Sequence, residues 1–232
     1  MPLRQWIRSA ENAIEGILHA AKTQRHLRWH FYSAAAVLVL SYILGATKTE
    51  FLLIALAAIA VLLAEMLNTA VEAMVDLLSP ELKEKARVAK DIAAGAVLIT
   101  AFGAALIGFM ALFPHARDAF EEGLHITKHM EEEVAVIAFV LVLISVILLK
   151  SYFGKGHPLR GGMPSGHAAV AFSIWVSVTY MTESFIVSLL CFALASAIAQ
   201  SRVATKIHSA WEVVFGAALG ASVTYILFLI FA

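Results

Sequence analysis

The chain has 232 residues, of which 61% are hydrophobic and 15% charged, with 17 basic residues against 17 acidic ones. A mean hydropathy of +0.83 marks a membrane protein, and the even charge balance excludes the basic surplus a nucleic-acid binder needs. The single Cys191 excludes an intrachain disulfide, and its apolar surroundings suit a buried free thiol.

In chain order, the N-terminal stretch is too charged for a cleavable signal peptide, so the first apolar segment is expected to insert uncleaved. Leu3 to Arg28 reads as an amphipathic helix on the membrane surface. Trp6, Ile7, Ala10, Ile14, Ile17 and Leu18 share one side, and Arg4, Arg8, Lys22, Arg25 and Arg28 supply interfacial charge. His19, His26 and His30 read as interfacial rather than as metal ligands. Apolar spans follow at 32–46, 51–78, 92–114, 133–149, 167–181, 185–200 and 210–231, which gives about seven membrane helices. Several are short for a hydrocarbon core of about 30 Å, as suits helices packed in compact bundles.

The second span carries acid at membrane depth, in Glu65-Met-Leu-Asn68-Thr69-Ala-Val-Glu72-Ala-Met-Val-Asp76. At about 1.5 Å per residue, Glu65 lies roughly 21 Å along a helix that begins at Phe51. Positions 65, 68, 69, 72 and 76 fall on one narrow face. A carboxylate at that depth costs about 2.5–3.5 kcal/mol, and no basic residue within the span offsets it. Asn and Thr alone would suit a helix-packing seam. Several acids on one face repel unless a cation sits between them, which points to function.

The 79–91 segment holds Lys83, Lys85, Arg87 and Lys90, whereas 46–50 is nearly neutral, so the N-terminus and the 79–91 loop are expected inside. Residues 115–132 read as an acidic linker outside the membrane. Within it, His125 and His129 stand one helical turn apart, a spacing that fits a metal pair or a solvated charged connection.

A second polar cluster runs from Lys150 through His157-Pro158 and Arg160 to Pro164-Ser165-Gly166-His167. Two spans later comes Ser201-Arg202, then Lys206, His208 and Glu212, and the intervening spans return the chain to the same side. Together these offer cations and glycine amides for a phosphate, a serine hydroxyl, and two histidines. That set suits phosphoryl transfer through histidine: one imidazole attacks, the other protonates the leaving oxygen, and basic residues stabilise the charge. On a helix, the four-residue spacing lets Glu212 orient His208.

On these residues, the stretch from 1 to 114 resembles the small bacterial diacylglycerol kinase and undecaprenol kinase family. The resemblance rests on the surface helix, three spans, the Glu65–Asp76 signature and Ala-Lys90-Asp91 opening the third span. Residues 133–232 resemble the type 2 phosphatidic acid phosphatase superfamily, shortened to four spans. The implied architecture is an all-α integral membrane protein with two bundles, three kinase-like and four phosphatase-like helices, joined by the 115–132 linker.

The kinase resemblance implies Glu65 as the base on a lipid hydroxyl and Glu72 as a Mg²⁺ ligand with ATP. It places Gly16, Asn68, Asp76, Lys90 and Asp91 around the nucleotide. Gln24 stands where many members carry a metal-binding Glu, so it can bring an oxygen but no charge. The phosphatase resemblance implies His208 as nucleophile, Glu212 as its orienting acid and His167 as general acid. Lys150, Ser165, Gly166 and Arg202 would hold phosphate. His157 replaces the arginine of the first motif, with Arg160 nearby, and Glu212 stands where Asp is usual.

The reading that follows is a bifunctional enzyme that phosphorylates a lipid alcohol with Mg-ATP and hydrolyses a lipid phosphate without a metal cofactor. Its lipid substrates lie in the bacterial inner membrane. The resemblance implies a homotrimer, and span parity places both sites on the cytoplasmic face. Two alternatives stay open: a phosphatase alone, with the first half as a trimerisation platform, and a cation-coupled carrier.

Overall fold

The computed structural model describes residues 2–79, 83–122, 128–153 and 162–232. Among them there are eight helices and no strands: α1 Pro2–Thr23, α2 Arg25–Ile43, α3 Lys48–Leu78, α4 Glu84–Glu122, α5 Glu131–Phe153, α6 Gly166–Thr182, α7 Phe185–Ala204 and α8 Ala210–Phe231. The sequence leads one to expect one surface helix and about seven apolar spans, and α2 to α8 fall on those seven segments. Five of the seven, α3, α4, α5, α7 and α8, are long and apolar enough on their own to cross a membrane. α6 has 17 residues, or about 25 Å. α2 opens on Arg25, His26, Arg28 and His30, which dilutes its apolar length. The chain is a multi-pass membrane protein.

Several boundaries differ from expectation, each for a local reason. The surface helix stops at Thr23, because Gln24 takes an extended backbone and starts α2. Arg25 and Arg28 therefore belong to the next helix. The 79–91 segment is mostly helical from Glu84, so Lys85, Arg87 and Lys90 stand on α4 rather than in a loop. α4 also runs through Pro114 to Glu122, so the first part of the acidic linker is helix. Proline forfeits one backbone hydrogen bond there without ending the helix.

The chain forms two compact units, one of residues 23–127 and the other of 1–22 with 128–232. The surface helix, expected with the first bundle, thus groups with the second. In the first unit α3 packs on both α2 and α4, around Leu38, Ile54 and Ala111. A capping box starts α3: Thr47 accepts from the Glu50 amide and Glu50 reaches back to the Thr47 amide. The same Glu50 carboxylate meets His115 Nε2 of α4 at 2.9 Å, tying α3 to the far part of the long helix.

In the second unit α6 is central and packs on α5, α7 and α8. Val142, Val146 and Ala169 form one core cluster, and Ala168, Ala199 and Val213 another. The α6–α8 seam is very close. A Cβ on Gly216 would sit 2.3 Å from the Ser165 carbonyl oxygen, and one on Gly220 would sit 1.9 Å from that of Ala169. One turn further, Ser173 and Thr224 share a buried hydroxyl hydrogen bond of 2.7 Å. Small residues one turn apart are the device by which membrane helices approach this closely.

Gly220→Ala should therefore destabilise the protein by about 1–3 kcal/mol through overpacking, read as earlier thermal unfolding in detergent. Gly103→Ala is the control, since a Cβ there meets nothing within 4 Å, and it should unfold no earlier than the parent.

Candidate active sites

The first candidate site follows the inward face of α3. Ile54, Ala57, Val61 and Glu65 are its buried residues, at helical spacing, so an apolar stripe ends in a carboxylate that is only 6% exposed. Thr69 Oγ1 donates to the Glu65 carbonyl at 2.9 Å. Asn68 Nδ2 donates to Glu72 Oε1 at 3.1 Å. Asn68 Oδ1 is buried with no hydrogen-bond partner. An apolar groove of about 380 Å³, bordered by Ala57, Val61, Ala101, Ala104 and Gly108, runs beside the same stripe.

Beyond Glu72 the helix reaches a small cleft of about 110 Å³ lined by Asp76, Ser79, Arg87, Lys90 and Asp91. Lys90 Nζ meets Asp76 at 2.5 Å, and Arg87 bridges Asp91 at 3.1 Å and Glu84 at 2.7 Å. Asp76, Lys90 and Asp91 are thus brought together as the sequence leads one to expect. Arg87 is an addition, legible in hindsight from its one-turn spacing to Asp91. Gly16 stands apart on α1, in the other compact unit, and a Cβ there would meet open space. Gln24 is the N-cap of α2, and its side chain makes no capping hydrogen bond.

Among the described residues no group of three His, Cys, Asp or Glu side chains could hold a metal by itself. Mg²⁺ does not need one, because it binds through one or two carboxylates and keeps water and phosphate oxygens. Glu72 with the unpartnered Asn68 oxygen is a donor set of that kind.

The second candidate site is built where α5, α6, α7 and α8 meet. α8 starts with a capping box: Ser209 accepts from the Glu212 amide, and the Glu212 carboxylate reaches back. Glu212 Oε2 accepts the Ser209 N–H at 3.1 Å and meets His208 Nδ1 at 2.9 Å. His208 itself is not helical, since α8 begins at Ala210. The carboxylate orients the imidazole from the third helical residue back onto the turn that precedes the helix. A donor on Nδ1 leaves Nε2 with the free lone pair.

The neighbouring segments are tied to this turn by backbone bonds. The His208 amide donates to the Arg202 carbonyl at 3.1 Å, and the Ser165 amide donates to the Glu212 carbonyl at 2.9 Å. Gly162, at φ 86°, turns its amide onto the Glu212 carboxylate. Ser165 is fully buried, yet among the described residues its hydroxyl has no partner, and neither does the Arg202 Nε. His208 is only 5% exposed, whereas His167, in the first turn of α6, opens to the surface. Lys150, Arg202 and His208 lie within electrostatic range of His167. His157 and Arg160 lie outside the described residues.

The 115–132 linker offers no comparable arrangement. His129 faces Glu133 at 3.7 Å and its amide donates to the Phe231 carbonyl. His125 lies outside the described residues. Sequence reasoning passed over the Gly216-x₃-Gly220 pair, whose spacing is itself a signal for close helix approach. His115, paired to Glu50, left no such signal.

Burial holds the His208 imidazole below its ordinary range near 6.5, the Glu212 hydrogen bond works against that, and Lys150 and Arg202 reinforce it. The unfolded imidazole then binds more protons than the folded one just below pH 6.5, so stability falls as the pH drops through that range. Melting temperature in detergent should accordingly rise from about pH 5 to 7. His208→Gln should show a shallower rise.

Comparison with known proteins divides the chain in two. Residues 11–112 match the family model described as prokaryotic diacylglycerol kinase, and 149–232 match that of the PAP2 superfamily. A diacylglycerol kinase of Synechocystis sp. is 38% identical over 100 residues, covering 43% of this chain and 57% of that protein. The undecaprenol kinase of Bacillus subtilis is 34% identical over 112 residues, 48% of this chain and 91% of its own length. A diacylglycerol kinase of Haemophilus influenzae is 32% identical over 97 residues, 42% of this chain and 82% of its own length. No solved structure matches the chain at comparable significance.

Proposed function

The chain belongs to the prokaryotic diacylglycerol kinase family and carries a PAP2 superfamily domain behind it, and from that premise we propose a bifunctional enzyme of lipid phosphate metabolism. One half transfers phosphate from ATP to a lipid alcohol, diacylglycerol or undecaprenol. The other hydrolyses a lipid phosphate or diphosphate through a phosphohistidine. The observation that carries the second activity is the pair of buried, unpartnered donors, Ser165 Oγ and Arg202 Nε, beside an imidazole aligned by Glu212. Buried polar groups are rarely left unpaired, and an anionic phosphate supplies the missing partner.

In the phosphatase reaction His208 Nε2 attacks phosphorus while His208 Nδ1–H stays on Glu212. The bond from phosphorus to the lipid oxygen breaks, and that oxygen takes a proton from the His167 imidazolium. Neutral His167 then removes a proton from water, whose oxygen displaces His208 and releases phosphate. Arg202, Lys150, Ser165 and the Gly166 amide hold the non-bridging oxygens.

In the kinase reaction Glu65 takes the proton of the lipid hydroxyl, whose oxygen bonds to the terminal phosphorus of ATP as the bond from that phosphorus to the bridging oxygen breaks and ADP leaves. The apolar groove bordered by Ala57 and Val61, one turn before Glu65 on α3, suits the lipid chain. Glu72, the Asn68 oxygen and Gln24 would hold Mg²⁺, which when bound neutralises charge on the transferring group. Asp76, Lys90 and Asp91 would frame the nucleotide. The resemblance to the kinase family and the outward apolar row Leu52, Leu56, Ile59, Leu63 and Leu67 on α3 support a homotrimer. The uncharged Gln24 favours a second reading, in which the first half only assembles the subunits. The unbroken helices α3 and α4 argue against a carrier, whose sites use interrupted spans.

Glu65→Gln should abolish ATP-dependent phosphorylation and leave phosphate release intact. His208→Ala should do the reverse. Both are read by assaying one purified preparation against a panel of lipid alcohols and lipid phosphates. Loss of both activities in either variant would contradict two independent sites.

In this reading both sites lie on the cytoplasmic face of a bacterial cytoplasmic membrane, where ATP is; seven spans with the N-terminus inside support it. Lys128 and Lys206 are exposed and separated by α5, α6 and α7, so they belong on opposite faces. In a Cys191→Ser background, an impermeant maleimide added to intact cells should label Lys128→Cys and spare Lys206→Cys. The opposite pattern would overturn the topology.

A further inference from the structure

Three sides of α6 are covered within its bundle. Val146 of α5 packs on Ala169, and Phe192 of α7 meets the Phe172 and Trp175 rings at 5.9 and 5.0 Å. The Gly216–Gly220 face of α8 closes on Ser165 and Ala169. α5 and α7 pack on α6 and α8 rather than on each other, so the side of α6 between them stays open. His167, Val170, Ile174, Val178 and Met181 lie on that side, within about 80° of arc. Ile174 is 48% and Met181 41% exposed, and Val170 and Val178 are partly exposed. Ser173 and Val176, on the covered sides, are 1% and 7% exposed. An imidazole thus heads an apolar stripe that faces the bilayer.

The direction of the proposed reaction gives this stripe a use. The bond from His208 Nε2 to phosphorus forms as the bond from phosphorus to the lipid oxygen breaks, and the two lie roughly in line. His208 is buried on the turn that leads into α8, where Glu212 fixes its ring. The lipid oxygen therefore points away from α8, and it must reach His167 to take its proton. His167 is exposed, and Ala169, which meets α8, lies about 160° round the helix from it. A hydrocarbon chain carried by that oxygen leaves the site on the open side of α6. There Val170 and Ile174 are the next residues it meets.

We propose that Val170, Ile174, Val178 and Met181 form a track for the hydrocarbon chain of the lipid phosphate, laid along α6 between α5 and α7. The inference rests on the proposed phosphohistidine reaction. From His167 to Met181 the track runs about 21 Å, more than half of a hydrocarbon core of about 30 Å. A long chain can therefore follow it without leaving the bilayer, while the phosphate stays at the buried donors Ser165 and Arg202. The track selects by chain length, and it acts on substrate binding rather than on the chemical step.

The test uses the full-length protein in detergent with dioleoyl phosphatidate, dibutyryl phosphatidate and p-nitrophenyl phosphate, which carries no chain. Ile174→Trp sets a ring on the track at an exposed position, where it overpacks nothing inside the bundle. It should raise KM for dioleoyl phosphatidate about tenfold, with kcat little changed and release of p-nitrophenol unaffected. Val178 stands about 16 Å from His167 along the helix, beyond the reach of a four-carbon chain. Val178→Trp should therefore raise KM for the dioleoyl lipid and leave the dibutyryl lipid unchanged. Leu229→Trp, on an α8 position that is 62% exposed, should alter none of the three reactions. An unchanged KM in both track variants, or a loss that ignores chain length, would overturn the track and leave the stripe an ordinary bilayer contact. Undiminished hydrolysis by His208→Ala would instead overturn the underlying reaction.

Discussion

How closely α6 and α8 can approach is the constraint on which the phosphatase site depends. Gly216 and Gly220 remove the two side chains that would otherwise strike the Ser165 and Ala169 carbonyls, and the Ser173–Thr224 hydroxyl bond closes the seam one turn deeper. With the backbones in contact, the Ser165 amide can reach a carbonyl in the first turn of α8. Pro164-Ser165-Gly166-His167 is thereby laid against the turn that carries His208. In lipid no hydrophobic force draws helices together, so van der Waals packing and polar bonds of this kind decide the geometry.

The same seam explains why a glutamate serves at position 212. One carboxylate oxygen accepts the Ser209 amide of the capping box and also fixes His208. A capping box relies on the reach of Glu or Gln from the third helical residue back to the cap, and Asp is one methylene shorter. Helix initiation and imidazole orientation are therefore one interaction, and the longer acid is the form that can serve both. The first bundle repeats the arrangement for structural ends, where the capping-box Glu50 also holds His115.

Much of this was legible in the sequence, and what was not has identifiable reasons. A 3.6-residue period reports which face of a helix is polar, so the Glu65–Asp76 stripe and the two histidine clusters could be placed from spacing alone. Helix ends depend on single residues: the break at Gln24 and the start of α4 at Glu84 are set by backbone and charge choices that hydropathy averages away. Pro114 signals an end in water, yet α4 passes through it. The grouping of α1 with the second bundle was invisible, because an amphipathic pattern shows that a face is covered without showing by what. His208 stands two residues before α8 rather than on a helix shared with Glu212, although the contact that the four-residue spacing implied is present.

In the proposed reading the two halves meet phosphate by different physical means, and the difference lies in which groups already have partners. In the first bundle Lys90 and Arg87 are balanced by Asp76, Asp91 and Glu84, so a phosphate gains little by approaching them unless charge is supplied with it. On the polar face of α3 the Asn68 oxygen is buried and unpartnered among the described residues, an acceptor that repels anions and suits a hard cation. In the second bundle the unpartnered atoms, Ser165 Oγ and Arg202 Nε, are donors that a phosphate satisfies directly. A nucleotide that brings its own cation fits the first set, and a bare phosphate ester fits the second. In the proposed reading, the polarity of the unsatisfied atoms at the two sites matches the form in which each would meet phosphate.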